Sequence, residues 1–349
     1  MNAPTPIDIK NLSRQELEAW LTANDIAPYR AGQIFKWIFS HQADQFTSMT
    51  NLGQEVREKL ADHFIISRLK TEKIETSRDG SRKFLFGLAD GNHIETVLIP
   101  EKEHCTLCIS SQVGCAMGCR FCLTAAGGFV RHLTAGEIVS QVRDIKKYIG
   151  SQPLSNIVLM GMGEPLANYE NVVQAIHILT DRDFGLEFST RRVTLSTAGL
   201  VPELERLGED VKVNLAVSLN ATDNDTRSRL MPINRKYPME MLLEACRQYP
   251  LPPRKRITFE YILIRDVNDS PEDARRLTKL LRPIRAKINL IPFNEHTESP
   301  FRRPDEKTVL AFQEILVQQH YTAIIRNSKG QDISAACGQL RATHDTTGN

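Results

Sequence analysis

Apolar residues recur with a helical period at the start of the chain and then in alternating strand and helix patterns. Ser13 and Glu16 form a capping-box pattern ahead of Leu17, Trp20 and Leu21, which predicts a first helix. Ile34, Trp37 and Ile38 share one face of a second helix over 31–40, and a third covers 52–63. Between about 64 and 100 the period changes to two. Lys83-Phe84-Leu85-Phe86, the turn residues Asp90-Gly91-Asn92 and the run from Ile94 to Ile99 predict a hairpin in a small sheet.

From about 106 onward strands alternate with amphipathic helices. The strands are expected at 106–111, 155–161, 192–197, 211–219, 257–264 and 287–292. The helices are expected near 134–149, 168–180, 200–208, 238–248, 271–282 and 305–319. Thr134 with Glu137 makes a second capping box, and Ser270-Pro271 puts a cap residue before proline at the first helical position. Alternating βα units imply a parallel sheet with helices outside. Six units fall short of the eight of a closed barrel. The expected fold is therefore α/β: a partial (βα)6 barrel with an N-terminal helical accessory domain and a small β extension. Its site belongs at the C-terminal ends of the strands. The expected boundaries are 1–65 for the helical domain, 66–100 for the β extension and 101–334 for the core. A C-terminal loop and tail follow at 335–349, loose and polar from His344 to Asn349.

Composition narrows the class. Of 349 residues 41% are hydrophobic and 25% charged, which excludes a disordered, collagenous or disulfide-framework protein. Forty-four basic against 42 acidic residues give +2, so whole-chain charge does not announce a nucleic-acid binder. No apolar run reaches the ~20 residues of a membrane span. Met1 to Trp20 shows no basic stretch followed by an apolar core. The expectation is a cytoplasmic protein without a membrane partner. Of seven cysteines five fall between 105 and 122, which in a reducing compartment reads as free thiols or metal ligands.

The densest chemistry is Cys115-Ala116-Met117-Gly118-Cys119-Arg120-Phe121-Cys122, a C-x₃-C-x₂-C spacing on a loop after the first strand of the alternating region. Thiolates suit iron–sulfur clusters, zinc or copper(I). Three of them would leave one iron of a [4Fe–4S] cluster open. The arrangement resembles the radical-SAM superfamily, in which the open iron chelates S-adenosylmethionine and an electron cleaves it to a 5′-deoxyadenosyl radical. A rival reading takes Cys105, Cys108, Cys119 and Cys122 as a structural zinc site of a non-catalytic RNA-binding module. Its central gap is short, and it leaves Cys115 unused. Val158-Leu159-Met160-Gly161-Met162-Gly163-Glu164-Pro165 follows an apolar strand, with glycines that permit close backbone approach. A similar segment binds the methionine amino group in radical-SAM enzymes.

Taken in order, several segments resemble the bacterial radical-SAM RNA adenine methyltransferases, the RlmN/Cfr family. They are Glu95-Thr96-Val97 with Ile99-Pro100, Cys108 to Cys115, the Cys119/Cys122 pair and Gly161 to Pro165. Further on come Arg192 to Thr197, Met231-Pro232-Ile233-Asn234, Asn289 to Asn294 and Asp332 to Leu340. The resemblance implies a radical-SAM core with one [4Fe–4S] cluster on Cys115, Cys119 and Cys122. It implies that Cys337 is methylated by one S-adenosylmethionine and that a second is cleaved, two per turnover. The radical takes hydrogen from the S-methyl group, and the resulting carbon radical adds to adenine. The route suits a ring carbon that is not nucleophilic. Cys108 then attacks the sulfur of Cys337, releasing methylated RNA and leaving a disulfide. Glu95 matches the base that removes the ring proton. Gly163, Glu164, Ser196, Ser218, Leu219, Asn220 and Asn294 match cofactor-binding positions, although the family often has His where this chain has Asn220.

Each residue also has a plain structural reading. Cys108 lies in an apolar strand as a buried thiol would. Glu95 reads as a solvated charge, Cys337 as part of a packed turn, and Ser196 and Ser218 as strand-end caps. Cys105 and Cys246 have no family role. Twelve Lys and Arg against seven Asp and Glu between Arg254 and Arg303 form a local basic excess, which reads as solvated helix faces or as an RNA surface. The resemblance implies two RNA partners: 23S rRNA, at the adenosine of the peptidyl-transferase centre, and tRNA, at the adenosine 3′ of the anticodon. The helical domain would grip RNA shape, and an electron donor such as flavodoxin would serve the cluster. The expected product is 2-methyladenosine. Carbon-8 methylation of the same rRNA adenosine is the alternative, since both use the same cysteines.

Overall fold

The computed structural model describes residues 7–296 and 299–342, and the tail from His344 to Asn349 lies outside the described residues. A short strand, β1 (Ile7–Asp8), precedes helices α1 (Arg14–Ala23), α2 (Arg30–Phe39) and α3 (Gln54–His63) and pairs in parallel with β2 (Phe64–Ile65). The first capping box forms: Ser13 N–H donates to Glu16 Oε2 at 2.7 Å and Glu16 N–H to Ser13 Oγ at 3.2 Å. Leu17, Leu21, Ile34 and Ile38 are fully buried. Polar groups also dock these helices on the rest of the chain. The buried Arg143 guanidinium donates to Ile38 O at 3.0 Å and Ala43 O at 2.5 Å. Such carbonyls would be costly to bury unpaired.

Strands β3 (Lys70–Thr76), β4 (Arg82–Gly87) and β5 (His93–Pro100) form an antiparallel meander. The predicted hairpin is present, but not as a separate sheet. Strand β5 pairs antiparallel with β6 (Cys105–Cys108), so the β extension continues the core sheet. Strand β3 carries no apolar alternation because it is the exposed edge, where charged residues discourage pairing with other chains.

After β6 come a small antiparallel pair, β7 (Gln112–Gly114) and β8 (Phe129–His132), with the one-turn helix α4 (Leu123–Ala126) between them. The remaining units are α5 (Ala135–Ile149), β9 (Leu154–Leu159), α6 (Tyr169–Thr180), β10 (Val193–Thr197), α7 (Val201–Asp210) and β11 (Asn214–Ser218). They continue through α8 (Asn224–Leu230), α9 (Met239–Gln248), β12 (Ile257–Leu263), α10 (Pro271–Leu281), β13 (Ala286–Pro292), α11 (Glu306–Gln318) and β14 (Ala323–Ile325). The 10-stranded sheet has the order β14-β13-β12-β11-β10-β9-β6-β5-β4-β3. From β14 to β6 all neighbours are parallel. The six predicted βα units form, and β14, at 3 residues too short to stand out in the sequence, extends the parallel set. The two edge strands do not pair with each other, so the barrel is partial.

Side-chain alternation creates the interior. Thr106, Cys108, Thr194, Thr258, Glu260, Lys287 and Asn289 line internal space. The intervening Leu107, Leu195, Phe259 and Ile288 are fully buried on the other face. Among the described residues, no helix is long and apolar enough to cross a membrane.

Candidate active site

The loop after β6 brings three cysteines to the C-terminal ends of the strands. Cys115, Cys119 and Cys122 line one cavity of about 160 Å³ with Glu164, Ser196 and Ser218. The loop is tied at both ends: Cys115 N–H donates to Gly128 O at 2.7 Å and Arg120 N–H to Leu230 O at 3.0 Å. Burial pushes the Cys115 thiol up to about 12, and it raises Cys119 well above its ordinary value with the neighbouring thiols adding to the effect. Cys115 and Cys119 are thus poor anions alone. A bound iron centre stabilises the thiolate form and removes that cost. The donor set therefore fits a soft iron–sulfur cluster.

A second feature points the same way. Arg227 of α8 is fully buried. It donates to Leu219 O at 3.1 Å, Asn234 Oδ1 at 3.0 Å, Ala198 O at 2.8 Å and Ser218 O at 3.2 Å. All four acceptors are neutral. Burial pulls the guanidinium down to about 10, and the field of Cys119 opposes this. A thiolate-ligated cluster would supply the counter-charge that a buried cation requires.

The glycine-rich segment closes the cavity wall. Gly163 has a φ of +104°, and a Cβ there would stand 2.6 Å from Gln112 Cβ. At Gly161 a Cβ would stand 2.7 Å from Ile109 O. Both positions therefore exclude a side chain. Glu164 Oε1 accepts from Leu166 N–H at 3.0 Å and Oε2 from Ala198 N–H at 2.7 Å. Burial pushes this carboxyl up to about 7 despite those hydrogen bonds.

Cys337 lines this cavity and also an adjoining one of about 390 Å³, which Cys108 lines too. The structure thus brings together the two cysteines that the sequence singled out, 229 positions apart. The Cys337 loop is fastened to the cluster loop: Leu123 N–H donates to Gly338 O at 2.7 Å and Thr124 Oγ1 to Leu340 O at 2.6 Å. Asn294 Nδ2 donates to Cys337 O at 3.1 Å, so this amide holds the loop. Cys337 is exposed to these cavities, while the protein packed on its other sides desolvates it. Burial pushes its thiol up to about 11, Glu260 adds to the shift and Arg326 opposes it. Cys108 is buried and raised for the same reason, with Cys337 adding to it.

Other predicted residues sit differently. Glu95 is buried, not solvated, and lines neither cavity. Its Oε1 pairs with Lys83 Nζ at 3.0 Å and its Oε2 accepts from Arg341 N–H at 2.8 Å. Leu219 and Asn220 also stand outside the cavity lining. The Asn220 amide donates to Met231 Sδ at 3.2 Å and accepts from Ile262 N–H at 2.8 Å. Cys105 shares the outer face of β6 with Leu107, opposite Cys108, so the four ligands of the zinc reading do not converge. The basic stretch is not one patch. Arg254, Lys255 and Arg256 precede β12 at the opposite rim, and Arg275 and Arg276 pair with carboxylates on their own helix.

Three features escaped the sequence reading. Arg227 gave no signal in the sequence. Glu260 gave one, as a charge inside the apolar run Ile257 to Leu263. Arg120 and Arg229, exposed and far apart in the chain, line one cleft of about 490 Å³ beside Cys119 and Cys122.

Comparisons with known proteins agree with this geometry. Residues 7–66 match the ribosomal RNA large subunit methyltransferase N-terminal domain, and residues 109–278 match the radical SAM superfamily. The chain is 60% identical to the dual-specificity RNA methyltransferase RlmN of Desulfosudis oleivorans, over 97% of this chain and 91% of that protein. Against the RlmN of Geobacter sulfurreducens it is 55% identical, over 98% of this chain and 94% of that protein. The crystal structure of a radical SAM methyltransferase from Sphaerobacter thermophilus superposes with a TM-score of 0.90 at 44% identity, covering 97% of this chain and all of that one. Such membership implies an iron–sulfur cluster and S-adenosylmethionine. The chain belongs to the RlmN family of radical-SAM RNA methyltransferases.

Proposed function

We propose that the protein methylates carbon 2 of adenosine in 23S rRNA and in tRNA, in the cytoplasm, with Cys337 as methyl carrier and Cys108 as the thiol that releases product. The observation that carries this reading is the position of Cys337. It lines the cavity of the cluster cysteines and also the cavity of Cys108. A carrier must meet the methyl donor on one side and the releasing thiol on the other, and position supplies much of the rate when reacting groups are tethered.

Cys115, Cys119 and Cys122 would hold one [4Fe–4S] cluster, beside Gly163, Glu164, Ser196 and Ser218 for S-adenosylmethionine, two molecules of which are used per turnover. When bound, this pair supplies a hydrogen-abstracting 5′-deoxyadenosyl radical, given an electron from a donor such as flavodoxin. Cys337, once S-methylated, would give a hydrogen atom of its methyl group to that radical and join through that carbon to adenine, the adduct's odd electron passing back to the oxidised cluster. Glu95 takes the ring proton of the adduct. In the present conformation its carboxylate is engaged by Lys83 and by the Arg341 N–H, so the segment carrying Arg341 must shift to free it. Cys108, as thiolate, attacks the Cys337 sulfur to form a disulfide; the sulfur–methylene bond breaks, its electron pair stays on the carbon, which takes a proton to become the methyl group, and the reductant restores both thiols. Asn294 acts through the Cys337 loop it holds.

The experiment is mass spectrometry of nucleosides from rRNA and tRNA, each incubated anaerobically with cluster-loaded protein, S-adenosylmethionine and a reductant. 2-Methyladenosine in both pools is the expected result. 8-Methyladenosine would move the assignment to the alternative ring carbon, and no methyladenosine from loaded protein would overturn the substrate reading.

RNA must reach the mouth beside the cluster loop. The guanidinium groups of Arg120 and Arg229 are exposed there and make no hydrogen bond or ion pair to the protein among the described residues. Their free guanidinium groups suit phosphate. Arg120→Gln and Arg229→Gln should each weaken RNA binding and lower the slope of log affinity against log salt by about 0.7–0.9. Filter binding across a salt series checks this; an unchanged slope in both variants would remove these residues from the RNA surface.

A further inference from the structure

Methyl transfer to Cys337 requires its thiol to give up a proton. A thiolate, not a thiol, attacks a methyl sulfonium. Desolvation by the surrounding protein, with the Glu260 charge adding to it, pushes the Cys337 thiol up to about 11. At neutral pH only about one molecule in 10⁴ would carry the thiolate. A carboxylate in the same cavities would speed the transfer by taking the proton directly.

The surrounding carboxylates can be compared directly. Both oxygens of Glu164 accept backbone N–H groups. Both oxygens of Glu95 are engaged outside the cavities. Glu101 is exposed at the rim. Glu260 differs from all three. It is only 7% exposed and lines both cavities that Cys337 lines. Its backbone register places it between Ser218 and Asn289 on the inner face. Asn289 Nδ2 donates to its Oε1 at 2.9 Å, and Oε2 has no hydrogen-bond partner among the described residues. We propose that Glu260 is the base that takes the thiol proton of Cys337 during its S-methylation. The inference rests on the reading of Cys337 as methyl carrier.

The step balances. The Cys337 S–H bond breaks and its proton goes to Glu260 Oε2. The sulfur lone pair forms the new S–CH₃ bond. The methyl–sulfonium bond of S-adenosylmethionine breaks, and its electron pair stays on the departing S-adenosylhomocysteine. Nothing is oxidised or reduced. Burial raises the Glu260 carboxyl to about 6, and Asn289, Arg326 and Lys287 oppose the rise. Cys108 faces the same space. Such a carboxylate is ionised at neutral pH, yet basic enough to serve.

The test uses cluster-loaded protein and S-adenosylmethionine with a deuterated methyl, without reductant, and reads label on the Cys337 peptide by mass spectrometry. Wild type should label Cys337 at a rate that rises through pH 6 and then levels. Glu260→Gln should label it at least about 100-fold more slowly at pH 7. Its rate should climb about tenfold per pH unit toward 11, and Glu260→Asp should recover part of the loss. The sign separates roles: the Glu260 charge raises the Cys337 thiol, so a bystander charge predicts faster labelling in Glu260→Gln. Labelling at or above the wild-type rate would overturn the proposal. Loss of S-adenosylmethionine binding in equilibrium dialysis of Glu260→Gln would also overturn it, by assigning Glu260 to holding the donor. Wild type labelled elsewhere than Cys337 would refute the carrier reading itself, and the base with it.

Discussion

Cys115→Ala should leave a folded protein that retains no stable iron–sulfur cluster and transfers no detectable methyl to RNA. The residue lies in the cavity wall with Cys119 and Cys122, and its loop is pinned by backbone hydrogen bonds from Cys115 N–H to Gly128 O and Arg120 N–H to Leu230 O. Its loss should therefore spare the backbone and remove a ligand. Changing a group that merely supports a metal ligand costs about 10–100-fold in affinity. Removing one of three ligands should exceed that. Cys105→Ala is the matched control: it truncates a fully buried thiol on the outer face of β6 and should cost about 1 kcal/mol of stability with iron content unchanged. Iron and sulfide assay, visible absorbance and thermal unfolding of both variants check this. Full iron in Cys115→Ala, or metal loss in Cys105→Ala, would reverse the assignment of ligands.

The contrast between those two cysteines also shows what a sequence reveals and what it conceals. Each parallel strand between β6 and β13 is apolar on one face, and each helix carries a buried stripe, so the order of units was legible. The cysteine loop and Gly161 to Pro165 were legible because their chemistry is local: ligands within eight positions, and glycines that a close backbone approach demands. What was hidden depends on distance. Arg227 earns its meaning from the carbonyls of Ala198, Ser218 and Leu219, which only the sheet brings together. Arg120 and Arg229 become neighbours because the cluster loop is tied to the end of α8 at Leu230. Strand β3 was missed because an exposed edge needs no apolar face. The plain reading of Glu95 as a solvated charge fails because its partner Lys83 comes from β4, the strand beside it.

Cys108→Ala should stop the reaction after carbon–carbon bond formation and accumulate RNA covalently attached to Cys337. Release requires a thiol to attack the sulfur of Cys337. Among the described residues, only Cys108 and Cys337 bring thiols to the larger cavity; Cys115, Cys119 and Cys122 line the smaller one and, on the reading proposed here, would be taken up as cluster ligands. Without Cys108 the sulfur–carbon bond has no partner to break it, so multiple turnover should fall below detection while one equivalent of adduct forms. The adduct should migrate with the protein under denaturing conditions, vanish with nuclease and be absent in Cys337→Ala. Wild-type release carries a pH signature with a definite sign. Burial holds the Cys108 thiol above its ordinary value, so the thiolate fraction, and with it the release rate, should rise by up to about tenfold per pH unit across the neutral range. Free methylated RNA formed at the wild-type rate by Cys108→Ala would require another nucleophile. The shared cavity of Cys108 and Cys337 would then be a matter of packing, and the two-thiol mechanism would fall with it.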